Sequence, residues 1–367
     1  NIKITYAGGQ KLILNYQPLS TGVYYDTIFY KVCDNNSNQL CSWGKVVLYR
    51  ELTNYRYYPV FDSIVNGNIK AGINSYSALF QKNTFSNVSY QFPSNSPHAT
   101  FYAFNTWLMG KANPSLINGM LDSYSNNSFV IPGPLGDTSK YSLLDELKWN
   151  RIWSITDWDI QQHKLNFNKP SYQIKQIFLD WPAHGDTNLG HAYNMAPFVD
   201  VNNNGKYEPL NGDYPKIKGN IAFYTIDHIN SYYGSFERHN MLYGFNCLQN
   251  EIKNTLFLQT RYINRASYQL DSTYITAWSD MDLGCSTNDH VGCDPIRNTY
   301  YTYNGTTFDQ NCNGAIGYNN YGPIQSVVIL KGAKLDNDNK DNLFGVDLSQ
   351  SQSINGIGFV DGILDNE

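Results

Sequence analysis

Short runs of β-branched and aromatic residues, separated by turn residues, recur along most of this chain. The runs occupy 11–16, 26–33, 44–50, 88–92, 99–109, 221–226, 256–263, 274–278 and 326–330. Runs of this length, bounded by Gly, Pro, Asn and Asp, are typical of β-strands. The pattern therefore predicts a mainly β protein.

One stretch, 141–165, has apolar residues near helical spacing instead. They are Leu143, Leu144, Leu147, Ile152 and Ile155. Asp157 follows as a candidate N-cap for a second short helix that runs to His163. We expect the few helices of the protein to be short and to lie here.

The composition indicates a globular chain with few charges. Of its 367 residues, 41% are hydrophobic and 16% are charged, and the formal net charge is −5. This length allows two or three domains. The negative charge argues against a phosphate-binding surface, so we expect no nucleic-acid partner. No apolar run approaches the ~18 residues of a membrane helix, so no transmembrane segment is predicted.

The six cysteines show no zinc-binding spacing, because none forms a Cys-x-x-Cys pair. Cys33 and Cys41 flank a turn-rich segment and are predicted to bridge a hairpin tip. An even count in a chain of secreted character favours up to three disulfides. Spacing does not fix their pairing, and free buried thiols are the alternative.

The pattern of residues 200–213 indicates a cation loop. Asp200, Asn202 and Asn204 alternate, and Gly205 permits a sharp turn. Carboxylate, amide and carbonyl oxygens in this order form the front half of an EF-hand calcium loop. The twelfth position holds Asn instead of Glu, so Glu208 or Asp213 is expected to complete the shell. The remaining ligand is the carbonyl of Lys206. An Asn/Gly-rich surface turn is the alternative.

Two further acidic groups are candidate calcium ligands. The first contains Asp280, Asp282, Asp289 and Asp294, directly after a predicted strand. The second contains Asp336, Asp338 and Asp341. Carboxylates brought together repel one another, and a cation relieves that repulsion. Solvated polar loops are the alternative for both groups.

Catalytic signals are weak. Asp180 and Asp186 flank Trp181, and paired acids beside a Trp suit glycoside hydrolysis, but acids this close in sequence share one loop. A packed, hydrogen-bonded loop is the preferred interpretation, and His184 and His191 are expected to be structural. No nucleophile elbow, phosphate-binding loop or dinucleotide fingerprint is present. We predict no catalytic residue. The tryptophans 107, 149, 153, 158, 181 and 278 are assigned to the core, with a sugar platform as the alternative.

Residues 1–52 resemble the closing half of a bacterial immunoglobulin-like repeat. The resemblance rests on the strand 26–34 (DTIFYKVCD), the second cysteine and the strand after it. It implies a β-sandwich fragment, and such modules are typically spacers in large surface proteins.

Residues 57–367 resemble large exoproteins exported by the type IX secretion system of gliding and related Gram-negative bacteria. The resemblance rests on blocks in a fixed order, most specifically 180–185 (DWPAHG), 196–209 and 212–215. The other blocks are 68–74, 98–110, 129–135, 149–156, 278–284, 289–294, 303–305 and 358–367. The resemblance implies a secreted or surface-anchored protein. Family loops often carry Asp where Asn202 and Asn204 stand, which implies weaker calcium binding here.

These observations lead to one main hypothesis. We expect an immunoglobulin-like β-sandwich fragment (1–52) and a larger β-rich domain (53–367), truncated at its C-terminus, with a subdivision near 200 as an option. Long calcium-stapled loops and a few short helices complete the fold. The function would be structural or adhesive, in an extracellular filament or surface layer, with other copies or domains of the same protein as partners. The alternative is a secreted protein that binds or degrades polysaccharide, with extracellular glycans as ligands.

Overall fold

The protein is mainly β, as predicted. The computed structural model describes 60–75, 78–81, 89–113, 116–124, 130–137, 148–231 and 234–332, and the backbone alone of 2–7, 11–16, 25–33, 41–49, 113, 116–118, 231 and 272. The chain forms two compact units, Asn1–Arg56 and Tyr57–Glu367.

The first unit contains two antiparallel hairpins. One pairs β1 (Ile2–Ala7) with β2 (Lys11–Tyr16), and the other pairs β3 (Tyr25–Cys33) with β4 (Cys41–Tyr49). The three predicted runs in this region are therefore strands. The register of the second hairpin places Cys33 opposite Cys41. The predicted bridge between them lies outside the described side chains, and the immunoglobulin-like identity stays a prediction.

Within its described residues, the second unit contains many antiparallel strands, and three short helices are described from end to end. The strands up to the first helix are β5 (Phe61–Asn66), β6 (Ile69–Asn74), β7 (Tyr90–Gln91), β8 (Ala99–Phe101), β9 (Ala103–Asn113), β10 (Leu116–Met120), β11 (Ile131–Pro132) and β12 (Trp153–Thr156). The helices are α1 (Asp157–Asn166), α2 (Gln176–Leu179) and α3 (Asn250–Lys253). The remaining strands are β13 (Phe198–Val199), β14 (Tyr214–Pro215), β15 (Ile221–Ser231), β16 (Gly234–Gly244), β17 (Leu256–Asn264), β18 (Asp271–Asp280), β19 (Asp289–Asp294), β20 (Thr299–Asn304), β21 (Phe308–Asp309), β22 (Asn319–Asn320) and β23 (Gln325–Val328).

The central sheet has the order β11-β15-β16-β17, and β12 also pairs with β15. The other sheets of this unit are β5-β6-β7-β8, β10-β9-β18, β19-β20-β23, β13-β14 and β21-β22. Because side chains alternate along a strand, the two faces of the central sheet contact two different hydrophobic clusters. Tyr224 and Ile226 face a cluster around Trp153, Phe178 and Trp181, whereas Phe223 faces one around Ile64 and Phe101, and both clusters are buried.

The stretch predicted to be helical is in part a strand. Trp153 and Ile155 are buried and alternate with more exposed residues, so 153–156 forms β12 against the central sheet. The helix begins one residue later than its predicted cap, because Thr156 is the N-cap and Asp157 the first helical residue. Thr156 and Asp159 form a capping box. Residues 141–147 lie outside the described part.

A disulfide joins Cys285 to Cys312, and Cys247 and Cys293 are free thiols. Trp149, Trp153 and Trp181 are in the core, as predicted, but Trp158 is 68% exposed, so its core assignment was wrong. The described residues include no helix long and apolar enough to cross a membrane.

Candidate functional site

The loop 200–213, called the Asp200 loop below, is closed at its base by a short ladder. β13 ends at Val199 and β14 begins at Tyr214, and these two residues pair directly. Asp213 reinforces the closure, because its carboxylate accepts from the N–H of Val201 (2.8 Å) and of Glu208 (2.7 Å). This side chain is fully buried. Asp213 thus holds both ends of the loop together.

The front of the loop curls around the side chain of Asp200. Its carboxylate accepts from the N–H of Asn204 (3.3 Å) and of Gly205 (2.7 Å). The side-chain oxygens of Asn202 and Asn204 also accept backbone N–H groups, at 3.1 and 2.8 Å. Asn203 and Gly205 have left-handed backbone angles, φ 57° and 76°. The turn therefore brings the alternate oxygens of residues 200, 202 and 204 to its inner side.

Glu208 faces the same oxygens from the far side of the loop. Asn204 donates its amide N–H to the Glu208 carboxylate at 2.5 Å. Hydrogen bonds from Asn204 and Asn211 lower the pKa of Glu208; burial opposes them, and Asn202 and Lys206 add smaller lowering effects. Glu208 is therefore ionised at neutral pH and close to three amide side chains. The arrangement offers carboxylate and amide oxygens of the kind that calcium prefers.

Aromatic and histidine side chains contact the Asp200 loop and the segments next to it. His184 stacks on Tyr193 at 4.1 Å, accepts from the N–H of Tyr207 at 3.0 Å, and contacts the Tyr193 carbonyl at 3.2 Å. Both ring nitrogens are thus engaged, which is typical of a structural histidine. Tyr207 donates to the carbonyl of Phe178 at 2.8 Å. His163, which is buried, lies 3.1 Å from the carbonyl of Asp213.

The aspartates of the second predicted group do not all lie together. Asp280 ends β18 and accepts from the hydroxyl of Tyr124 at 2.7 Å. Asp282 and Asp289 interact electrostatically with each other. Asp294 lies at the other end of β19 and pairs with Arg297, which lowers its pKa. Asp336, Asp338 and Asp341 lie outside the described residues.

Asp309, which the sequence did not single out, joins Asp289 near the disulfide. Its buried carboxylate accepts from the N–H of Cys285 (3.2 Å) and of Tyr318 (2.6 Å). Among the described residues, no three His, Cys, Asp or Glu side chains come together as a metal cluster. A cation at either loop would therefore depend on amide and carbonyl oxygens as well as carboxylates.

The acids beside Trp181 are engaged in structural contacts. Asp180 pairs with Arg151 at 2.8 Å and also accepts from Gln176. Trp181 is 4% exposed and donates its indole N–H to the carbonyl of Pro197. Asp186 caps a short 3-10 turn by accepting from the N–H of Asn188. This geometry supports the packed-loop interpretation of these residues.

A group of aromatic rings, called the aromatic face below, is partly exposed on β9, β18 and the segment after β10. Trp107 and Trp278 stack with centroids 5.6 Å apart, and Tyr124 meets Trp278 edge-on at 5.1 Å. Tyr102 contacts Tyr124. Tyr102 and Tyr124 are 40% and 39% exposed. Sequence alone did not place these rings on one surface, because the strands that carry them are far apart in the chain.

Two buried polar networks in the central sheet were also missed. Arg238 pairs with Asp227 at 3.0 Å and reaches Asn105. On the opposite face of β16, the strand that carries Arg238, His239 contacts Glu237 at 2.6 Å and the Tyr224 hydroxyl at 2.8 Å. Burial opposes the ionisation of Glu237, but its bond with His239 holds the pKa below its usual value.

Comparisons with known proteins assign this chain to no family. They found no matching family model, no matching curated protein and no matching solved structure. The functional interpretation therefore depends on the geometry of the chain itself.

Proposed function

We propose that this protein is an extracellular structural or adhesive module in which calcium orders the Asp200 loop. The observation that carries the proposal is the turn at residues 200–205. It gathers alternate side-chain oxygens around Asp200, with Glu208 opposite them. Oxygen ligands in this order form the front of known calcium loops.

An extracellular location is supported by the Cys285–Cys312 disulfide, because disulfides persist mainly in oxidising compartments. The ordered blocks that resemble type IX exoproteins support the same location. We therefore propose export by that system and attachment to the outer cell surface. Other copies or other domains of the same protein would be its partners, in a filament or a surface layer.

Chelation of the full chain tests the role of calcium. We expect excess chelator to lower the melting temperature and added Ca²⁺ to restore it, because a ligand that binds only the folded state stabilises it. Asp200→Asn should reduce the response, since it removes a carboxylate from the loop. Asp271→Asn is the matched control, because Asp271 is exposed at the start of β18, outside the Asp200 loop. An unchanged melting curve with no bound metal would refute the calcium role.

Electron microscopy of native material, labelled with an antibody to this chain, tests the structural role. Label along regular fibres or a continuous coat is the expected result. Label on scattered single particles would contradict assembly into a polymer.

Polysaccharide binding is a second candidate function, supported by the aromatic face. Partly exposed rings beside the carboxylate of Asp280 provide both stacking surface and hydrogen-bond acceptors for sugar hydroxyls. Affinity electrophoresis against a panel of polysaccharides would detect it as retarded migration. Trp278→Ala should abolish the retardation, and Trp158→Ala, which removes an exposed ring elsewhere, should not. If no polysaccharide retards the native chain, this candidate fails.

A further inference from the structure

Unpartnered polar atoms are concentrated at one place in the second unit. Within the described residues, every buried side-chain oxygen or nitrogen that lacks a hydrogen-bond partner belongs to Asn288, Asp289, Thr302 or Asn304. Buried polar groups are almost always partnered, because an unpartnered one loses its hydrogen bonds to water without replacement. Four of the five atoms are oxygens, and their coincidence at one site indicates a cation that partners them; the fifth, the Nδ2 of Asn304, is a donor that a cation does not bind.

The strand register explains how these side chains meet. β19 and β20 are antiparallel, and Asp289 pairs directly with Asn304. Side chains of directly paired residues lie on the same face of a sheet, so these two are neighbours. Thr302 lies two residues along the same face and is 1% exposed. Asn288 immediately precedes the strand, so its side-chain oxygen lies at the same end of the hairpin.

The loop 281–288 brings a second carboxylate to this end. The N–H of Leu283 donates to one oxygen of Asp289 at 2.9 Å, and Gly284 turns the chain with φ 67°. The other oxygen of Asp289 is unpartnered. Burial and, to a smaller extent, the charge of Asp280 raise the pKa of Asp282 to about 6. Burial raises the pKa of Asp289 to about 6, with the charges of Asp282 and Asp309 adding to it and the hydrogen bond from the Leu283 N–H opposing it.

Among the described residues, no Lys, Arg or His side chain forms an ion pair with Asp282 or Asp289. The neighbouring acids are already engaged: Asp280 with Tyr124, Asp309 with two backbone N–H groups, and Asp294 with Arg297. Two carboxylates and several neutral oxygens without a counter-charge are what a hard divalent cation requires.

We propose that Asp282, Asn288, Asp289 and Asn304 bind a divalent cation, Ca²⁺ in the first place, at the start of the β19–β20 hairpin. The buried Oγ1 of Thr302 would partner a water molecule of the ion. The cation would hold the loop 281–288, which contains the disulfide-bonded Cys285, against the hairpin. This inference rests on the proposed function for its source of Ca²⁺, which is the extracellular medium. It uses none of the residues of the Asp200 loop.

Metal titration of the full chain tests the site. The protein is stripped with chelator and titrated with Ca²⁺ by calorimetry and with Tb³⁺ by luminescence sensitised through nearby tyrosines. The native chain should bind one ion at each site. Asp289→Asn should weaken one binding event by at least about tenfold, because a ligand charge is lost. Asp200→Asn should weaken only the other, and Asp294→Asn, at the far end of β19, should weaken neither.

Asp282→Asn is the second variant, since among the described contacts its carboxylate makes no hydrogen bond that folding would lose. It should weaken the same binding event as Asp289→Asn. Unchanged titrations for both variants would overturn the site and assign its unpartnered atoms to water alone. If Asp200→Asn still removes an ion in that case, the proposed function survives. If Asp289→Asn and Asp282→Asn remove an ion and Asp200→Asn does not, calcium binding by the Asp200 loop is refuted.

Discussion

At the scale of single residues, the Asp200 loop depends most directly on Gly205. Its φ is 76°, a conformation that costs a residue with a Cβ about 1 kcal/mol, and a Cβ built there meets no atom within 4 Å. We therefore expect Gly205→Ala to destabilise the turn through backbone strain alone and to weaken Ca²⁺ binding.

Gly314 supplies a matched control for that substitution. Its φ is 81°, and its Cβ position is equally open. Gly314→Ala should cost a similar free energy of unfolding but leave calorimetric Ca²⁺ affinity at the Asp200 loop unchanged. Equal Ca²⁺ affinities for the native chain and Gly205→Ala would show that the turn does not organise the ligands.

Arg238 leads to a second prediction at this scale. Its guanidinium and the carboxylate of Asp227 are both 1% exposed. Arg238→Met leaves a buried, unpaired carboxylate, so we expect a loss of about 3–5 kcal/mol in the free energy of unfolding. Denaturant titration measures this loss.

The double variant Arg238→Met/Asp227→Leu separates pairing from burial. It should recover much of the stability, because both charges are removed together. If the double variant is less stable than Arg238→Met, the uncompensated charge is not the cause of the loss.

The sequence predicted those site residues whose partners are close in the chain. The alternation of Asp200, Asn202 and Asn204 was visible because each bonds within five positions. Asn304 was not, because only the strand register brings it beside Asp289. Asn288 was missed although it directly precedes Asp289 in the sequence. Asp213 was predicted as a ligand, and its carboxylate closes the loop through two backbone N–H groups.

At the scale of elements, the strands with β-branched and aromatic runs were predictable and β16 was not. β16 contains Glu237, Arg238, His239 and Asn240 in succession, and all four are buried. Such a run lacks the alternation of a half-buried strand, because both faces of the central sheet are covered. Similarly, Ile152 and Ile155 fit helical spacing, but Trp153 and Ile155 pack as alternate residues of a strand.

The disulfide gives a prediction at the same scale. Cys285 and Cys312 are 27 residues apart in the sequence, and a cross-link of this span removes roughly 3–4 kcal/mol of unfolded-chain entropy. We expect the Cys285→Ser/Cys312→Ser variant to lose stability on this scale in denaturant titrations. The control is Cys293→Ser, which removes a free thiol. Equal losses for the two variants would refute a stabilising disulfide.

At the scale of the whole molecule, buried histidines should make the metal-free protein sensitive to acid. Burial lowers the pKa of His191 and of His228 below the usual value, although Glu237 acts in the opposite direction. The unfolded chain therefore binds protons first as the pH falls through about 6.5. Stability present above that pH is lost below it.

His228→Asn tests this contribution. The Nδ1 of His228 lies 2.8 Å from the Gly133 carbonyl, and the amide of Asn retains a donor at that position without titrating. The native chain should lose up to about 1.4 kcal/mol more than the variant between pH 7.5 and pH 5.5. Unfolding titrations at the two pH values measure the difference. Identical pH dependence in both chains would show that His228 is not responsible.

The hydrogen bond from Gly205 N–H to Asp200 also affects the chemical ageing of the protein. An asparagine followed by glycine deamidates when the glycine nitrogen attacks the side-chain carbonyl, and Asn204-Gly205 is such a pair. In the folded loop that nitrogen is tied to the Asp200 carboxylate at 2.7 Å, which protects Asn204. A loop in which this hydrogen bond is broken would deamidate faster. The products of deamidation, aspartate and isoaspartate, carry an added negative charge at position 204. This charge permanently changes how the loop attracts cations.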